Sequence, residues 1–312
     1  MSGVRVAVVT GSNKGIGLAI VRGLCQQFQG DVYLTARNPK LGEEAVKTLN
    51  NEGLSPLFHQ LDINDPASIR SLRDFLKEKY CGLDVLINNA GIAFKVADTT
   101  PFGTQAEVTL KTNFFGTRDV SHELLPLIKP NVSDTTPFGT QAEVTLKTNY
   151  FATRDVSNEL LPLIKPNGRV VNVSSMISPS ALARCSPELQ EKFRSDTITE
   201  DELTKLMEKF VEDAKEGVHQ ERGWANTAYG VSKIGVTVMS RIQARQLKET
   251  RKGEGIILNA CCPGYVRTDM TNPNAPKSPD EGAVTPVYLA LLPVGVDSPY
   301  GELVSEKKVV PW

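Results

Sequence analysis

Short, unbroken apolar runs take turns along this chain with stretches whose apolar residues recur at helical spacing. A strand with no polar alternation is buried on both faces, and such strands belong in a parallel sheet covered by helices. The runs predict strands at Val4–Val9, Asp31–Ala36, Leu57–Asp62, Asp84–Asn88, Arg169–Ser174 and Ile256–Cys261, with a short seventh near Leu303–Ser305. Helices are predicted at 15–28, 40–52, 66–79, 104–125 and 229–250. Right-handed crossovers turn that order into an α/β, doubly wound, seven-stranded parallel sheet with helices on both faces. Ligands then belong beyond the carboxyl ends of its strands.

No linker-like stretch divides the 312 residues, so a single domain over 1–312 is expected. A formal net charge of -1 argues against nucleic acid or an anionic membrane surface as partner. No apolar run approaches the roughly 18 residues of a membrane span, and the N-terminus enters a strand-like VRVAVV without a signal-peptide layout. Five cysteines without metal-ligand spacing fit reduced thiols in the cytoplasm, and no metal site is expected.

Strand one runs into Thr10-Gly11-Ser12-Asn13-Lys14-Gly15-Ile16-Gly17. Gly11 suits a tight turn, Gly15 a close approach to a pyrophosphate, and Gly17 close packing of the new helix, whose N-terminus offers unpaired N–H groups to phosphates. Strand two ends in Arg37 rather than the acidic residue that would take a free ribose 2′-hydroxyl. With Lys14 in the loop, two cations favour a 2′-phosphate, hence NADPH over NADH. Further on, Tyr229 and Lys233 are four residues apart and share one helix face. A nearby ammonium is expected to draw the tyrosine pKa down from ~10.

One segment is written twice. Asp98–Asn131 and Asp134–Asn167 agree at 31 of 34 positions, differing only as Phe114/Tyr150, Gly116/Ala152 and His122/Asn158. Solenoids need three or more units, so this reads as a tandem copy of one helix, 98–131 and 134–167, inside an aperiodic fold. A connector of about 14 residues could return along a helix of roughly 33 Å. The first copy is expected to dock, because it keeps the approach from strand four and emerges first in synthesis.

Gly11-x-x-x-Gly15-x-Gly17, Asn88-Asn89-Ala90-Gly91, Ser175, Tyr229-x-x-x-Lys233 and Pro263-Gly264 occur in order at the expected elements. The set resembles the short-chain dehydrogenases/reductases, Rossmann-type enzymes, over nearly the whole chain. LDVLINNAGIAFKVAD, RVVNVSS, YGVSKIGVTVMSRI and LNACCPGYVRTDM carry a closer likeness to the cytosolic monomeric NADPH-dependent carbonyl reductases. The resemblance implies that Tyr229 protonates a nascent alkoxide, Lys233 holds the nicotinamide ribose, and Ser175, rather than Ser174, bonds the carbonyl oxygen. It implies an active-site asparagine that holds a relay water; with copy one docked, this is Asn113, with Asn149 its duplicate. Asp62 and Ile63 map to adenine contacts, and Asn89, Ala90 and Gly91 to the ribose side. Pro263, Gly264, Val266, Thr268, Asp269 and Met270 map to the loop over the nicotinamide. Phe94, Lys95, Val96, Gln105 and Tyr265 line the substrate cleft, Tyr265 standing where close relatives have tryptophan.

Ser175 and Tyr229 are 54 residues apart, leaving room for a helical insertion over about 178–225. A capping box, Thr199-x-x-Glu202, opens a helix with Leu203, Leu206, Met207, Phe210, Val211 and Ala214 on one face. In the monomeric reductases such a helix covers the surface their relatives use to dimerise, so the resemblance implies a monomer; the stripe could instead be a substrate lid. The expected activity is NADPH-dependent reduction of ketones, aldehydes and quinones. The alternatives are an NADP-dependent alcohol, steroid or prostaglandin dehydrogenase, and an impaired variant that binds NADPH without turnover.

Overall fold

The computed structural model describes residues 4–92, 137–271 and 273–312. Within them one sheet of eight strands forms: β1 Val6–Val9, β2 Asp31–Ala36, β3 Leu57–Gln60, β4 Leu83–Asn88, β5 Ile164–Val173, β6 Ile257–Cys262, β7 Leu303–Ser305 and β8 Lys308–Val310. Their spatial order is β3-β2-β1-β4-β5-β6-β7-β8. All neighbours pair in parallel except β7 and β8, which form an antiparallel hairpin. The order reverses between β1 and β4, and a crevice opens at such a switch point.

The doubly wound expectation holds, with one strand more than the seven expected. β8 escaped because its two-residue turn uses Glu306 and Lys307 at φ 51 and 61. That is the conformation of a type I′ hairpin turn, usually announced by Asn-Gly. β5 also starts early, at Ile164 opposite Leu83, and slips register before Arg169 meets Val85.

Helices α1 Gly15–Gln27, α2 Pro39–Asn51 and α3 Pro66–Tyr80 follow the first three strands within a residue or two of expectation. Proline opens both α2 and α3, behind the side-chain caps Asn38 and Asp65. One apolar cluster joins α1 to β1, β2 and α10 (Pro279–Ala290). A second lies on the other face, where α3 packs against β1 and β4. α10 was missed although Ser278-x-x-Glu281 is a capping box with Pro279 at its first position, a signal legible in the sequence.

Between β4 and β5 the chain places α4 Phe138–Leu146, a π-helical turn Lys147–Ala152 and α5 Thr153–Leu160. All three belong to the second copy. The expectation that the first copy docks is therefore corrected; its helix at 104–125 lies outside the described residues. Two physical reasons favour the second copy. Only the single 3₁₀ turn Leu161–Leu163 separates α5 from β5, so this copy is tied to the sheet. The positions that distinguish it are also contact positions. Tyr150 is fully buried with its hydroxyl 3.2 Å from Thr204 Oγ1, and Asn158 Nδ2 donates to Glu200 Oε1 at 2.8 Å. Phe114 has no hydroxyl to offer, and Ala152, buried in the core, is a better helix former than Gly116.

After β5 come α6 Ile177–Leu182, α7 Pro187–Arg194, α8 Glu200–Lys215 and the long α9 Ala228–Thr250. α8 carries the expected capping box, with Thr199 and Glu202 bonded reciprocally. Its Leu203, Met207, Phe210 and Ala214 are buried against α4 and α9 in a third apolar cluster. Each large side chain in that seam contributes about 1.5–3 kcal/mol of burial. These residues of the stripe cover the α4–α9 surface, with Leu206 and Val211 partly buried beside them.

Candidate active site

The glycine loop leaves β1 at its carboxyl end. Gly11 and Gly15 take φ 59 and 58, and a Cβ on Gly11 would stand 2.8 Å from that of Ala90. Thr10 Oγ1 accepts the backbone N–H groups of Asn89 and Ala90, both at 3.0 Å. Asn89 Nδ2 in turn donates to the carbonyls of Thr10 and Gly11. The loop after β4 is thus laced onto the loop after β1, the two crests that flank the crevice. Asn13 and Ile16 lie on the same turn, and Gly17 is buried against Asn89. Thr10 is a positioning residue that sequence reasoning missed; a threonine at a strand end carries no distinctive signal.

Arg37 follows β2 with its Nη2 buried and without a hydrogen-bond partner. Burial lowers its hold on its proton, with the Asp62 carboxylate opposing. A buried, unsatisfied guanidinium nitrogen is expensive unless an anion completes it. Together with uncovered N–H groups at the start of α1, that is the chemistry a phosphate-bearing cofactor fits. β3 ends at Gln60, two residues short of expectation, and Asp62 turns its Oδ1 to the Asn64 backbone N–H at 2.9 Å. Ile63 beside it is buried. Lys14, expected at the 2′-phosphate, instead bonds Asp269 Oδ2 at 2.5 Å.

Adjacent serines end β5. Ser174 is buried, bonded to Thr237 Oγ1 at 2.7 Å and to the Lys233 carbonyl at 3.2 Å. Ser175 stands close enough to Tyr229 for its hydroxyl to favour the phenolate, while its Oγ accepts the Ile177 N–H at 3.1 Å. Of the two, only Ser175 faces the tyrosine. Lys233 is nearly fully buried, donates to the Val173 carbonyl at 2.8 Å, and lies 5.6 Å from the Tyr229 ring centroid. Burial lowers Lys233 to about 8. Burial also pushes Tyr229 up to about 12, the Ser175 hydrogen bond drawing it part of the way back. The expected depression of the tyrosine is thus reversed in this geometry: desolvation is the largest cause, and the Lys233 ammonium is not among those that act on it.

Asn149 lies in the π-helical turn and is buried. Its Oδ1 accepts the Ile92 N–H at 2.7 Å, and its Nδ2 donates to the Ile92 carbonyl at 2.8 Å and to Ser232 Oγ at 3.1 Å. A Cβ on Gly91 would sit 3.1 Å from Asn149 Oδ1 and 3.7 Å from Lys233 Nζ. The asparagine assigned to this slot is therefore Asn149. Asn113 lies outside the described residues, as do Phe94, Lys95, Val96 and Gln105.

The loop after β6 completes the rim. Gly264 takes φ 89 and donates its N–H to Cys262 Sγ at 3.3 Å. Val266 is buried beneath α10, and Thr268 reaches within 3.3 Å of a Cβ position on Gly15. Pro263 and Met270 are half-buried. Tyr265 and Met176, on the loops after β6 and β5, and Ile177, at the start of α6, remain exposed. All five cysteines are free, and among the described residues no cluster could hold a metal and no helix is long and apolar enough to cross a membrane.

Comparison with known proteins is consistent with this geometry. The short chain dehydrogenase family profile matches residues 5–136 and 217–279. Carbonyl reductase (NADPH) 1 of Homo sapiens is 62% identical over 311 residues, spanning 100% of this chain and 99% of that protein. Its counterpart in Rattus norvegicus is 61% identical over 307 residues, 98% of each. Among solved structures, salutaridine reductase from Papaver somniferum superposes with a TM-score of 0.76 at 32% identity, covering 96% of this chain and 99% of the other. Menthone neomenthol reductase from Mentha piperita gives 0.74 at 31%, covering 98% and 100%.

Proposed function

The chain belongs to the short-chain dehydrogenase family, and on that basis we propose that it is an NADPH-dependent carbonyl reductase acting on ketones, aldehydes and quinones. The observation that carries the reading is the meeting of Ser175 with Tyr229, with the Lys233 ammonium beneath them at the carboxyl ends of β5 and β6. When bound, NADPH would supply the hydride. Gly11, Asn13, Gly15, Ile16 and Gly17 would hold the pyrophosphate, Arg37 and Lys14 the 2′-phosphate, and Asp62, Ile63, Asn89, Ala90 and Gly91 the adenosine side and ribose. The loop Pro263–Met270 would close on the nicotinamide end.

The rest is done by this chain's own groups. Ser175 donates a hydrogen bond to the carbonyl oxygen and fixes its position. Tyr229, protonated throughout the working range, passes its proton to that oxygen as negative charge builds there. Lys233 replenishes the proton and binds ribose hydroxyls. Asn149 spends its amide on Ile92 and Ser232, so its part is to hold those groups, and through them the helix turn of Tyr229 and Lys233, in place. A donor held in its protonated form suits reduction better than alcohol oxidation, which needs the phenolate.

We further infer a cytoplasmic monomer, supported by the free thiols and by the α8 cover. Purified protein should elute as a monomer and oxidise NADPH in the presence of menadione. Tyr229→Phe should lower kcat by about 10²–10⁴-fold while leaving NADPH binding intact. Tight NADPH binding without turnover in the parent protein would leave only the binding reading.

A further inference from the structure

The ion pair between Lys14 and Asp269 joins the glycine loop to the loop after β6 across 255 residues of sequence. Lys14 is the N-cap residue of α1, which has no side-chain cap and no acidic residue in its first turn. The positive end of that helix and the Lys14 ammonium thus face an anion brought in from another loop. Thr268, the neighbour of Asp269, comes within 3.3 Å of a Cβ position on Gly15, so the two loops touch beside the start of α1. The Asp269 carboxylate therefore shares the ammonium that the proposed function gives to the 2′-phosphate.

We propose that Asp269 is a counter-ion that NADPH displaces from Lys14, and that Asp269 thereby limits how strongly the protein prefers NADPH to NADH. The inference rests on the reading that Lys14 joins Arg37 at the 2′-phosphate. A lysine cannot give its full charge to both partners, and the displaced carboxylate adds repulsion toward the incoming phosphate. Both side chains are well exposed, at 51% and 78%, so solvent screens the pair and a modest effect is expected. On that reading the cost falls on the phosphorylated cofactor, because the group that competes for Lys14 is the 2′-phosphate, which NADH lacks.

Equilibrium dissociation constants for NADPH and NADH, measured on the whole chain as parent, Asp269→Asn, Lys14→Ala and the double variant, test this. Asp269→Asn should tighten NADPH by about two- to five-fold, the size of an exposed ion pair, and leave NADH unchanged. The gain should vanish in the Lys14→Ala background and shrink as salt is raised. Asp269→Asn that weakens NADPH, or shifts both cofactors equally, would overturn the proposal and make the pair a clamp on the shared pyrophosphate. Lys14→Ala that leaves the NADPH-to-NADH ratio untouched would instead sink the assignment of Lys14 to the 2′-phosphate.

Discussion

Lys233 loses its proton at about 8 and Tyr229 at about 12, and that ordering has a kinetic consequence. For reduction both groups must start protonated. The kcat/KM for NADPH, which reports groups of the free enzyme, should be flat below pH 8 and fall about tenfold per unit above it. Tyr229 contributes no inflection in the accessible range. A profile still flat at pH 10 would remove Lys233 from the relay. Asn149→Ala should likewise cost about 10- to 100-fold in kcat, because it frees Ile92 and Ser232 together, whereas Asn113→Ala should leave kcat unchanged; the reverse result would return the slot to the first copy. Tyr229 with Lys233 and Arg37 at a strand end were legible from spacing and position, whereas the choice of Ser175 over Ser174 came only with the family resemblance. Protonation was not legible, since it depends on how deeply Lys233 is buried under β5, and burial is a property of the packed fold.

At the scale of elements, the fit of α4, the π-helical turn and α5 against α8 rests on few differences from an almost identical sequence. Replacing Tyr150, Ala152 and Asn158 together by Phe, Gly and His should destabilise the protein by about 1–3 kcal/mol. The loss comprises one buried hydroxyl bond, one helix-propensity step and one surface bond, and equilibrium denaturation measures it. No change in stability would mean that attachment to β5 alone selects the second copy. The strands and the helices flanking them could be read because apolar periodicity marks them directly. The choice between copies could not, because 31 identical positions carry no preference and the three that differ act through the packed fold, Tyr150 and Asn158 on α8 and Ala152 in the core beneath the sheet. The π-helical turn had no sequence signature, and the β7–β8 turn disguised itself behind Glu306 and Lys307.

For the molecule as a whole, the second copy supplies Asn149 to the site and Tyr150 and Asn158 to the α8 contact. Deleting Asp98–Ser133 joins Ala97 to Asp134 and keeps the reading frame of the remaining copy. The shortened protein should fold and turn over menadione with a kcat within about twofold of the parent; loss of activity would show that the first copy contributes to catalysis. The margins of the sheet bear on a different property. β3 ends it on one side with four residues and β8 on the other with three, the latter led by Lys308. So little unpaired backbone offers almost no template on which another chain could lay down strands. Heated or ageing samples should therefore clump through exposed core as amorphous, thioflavin-negative material rather than grow fibrils.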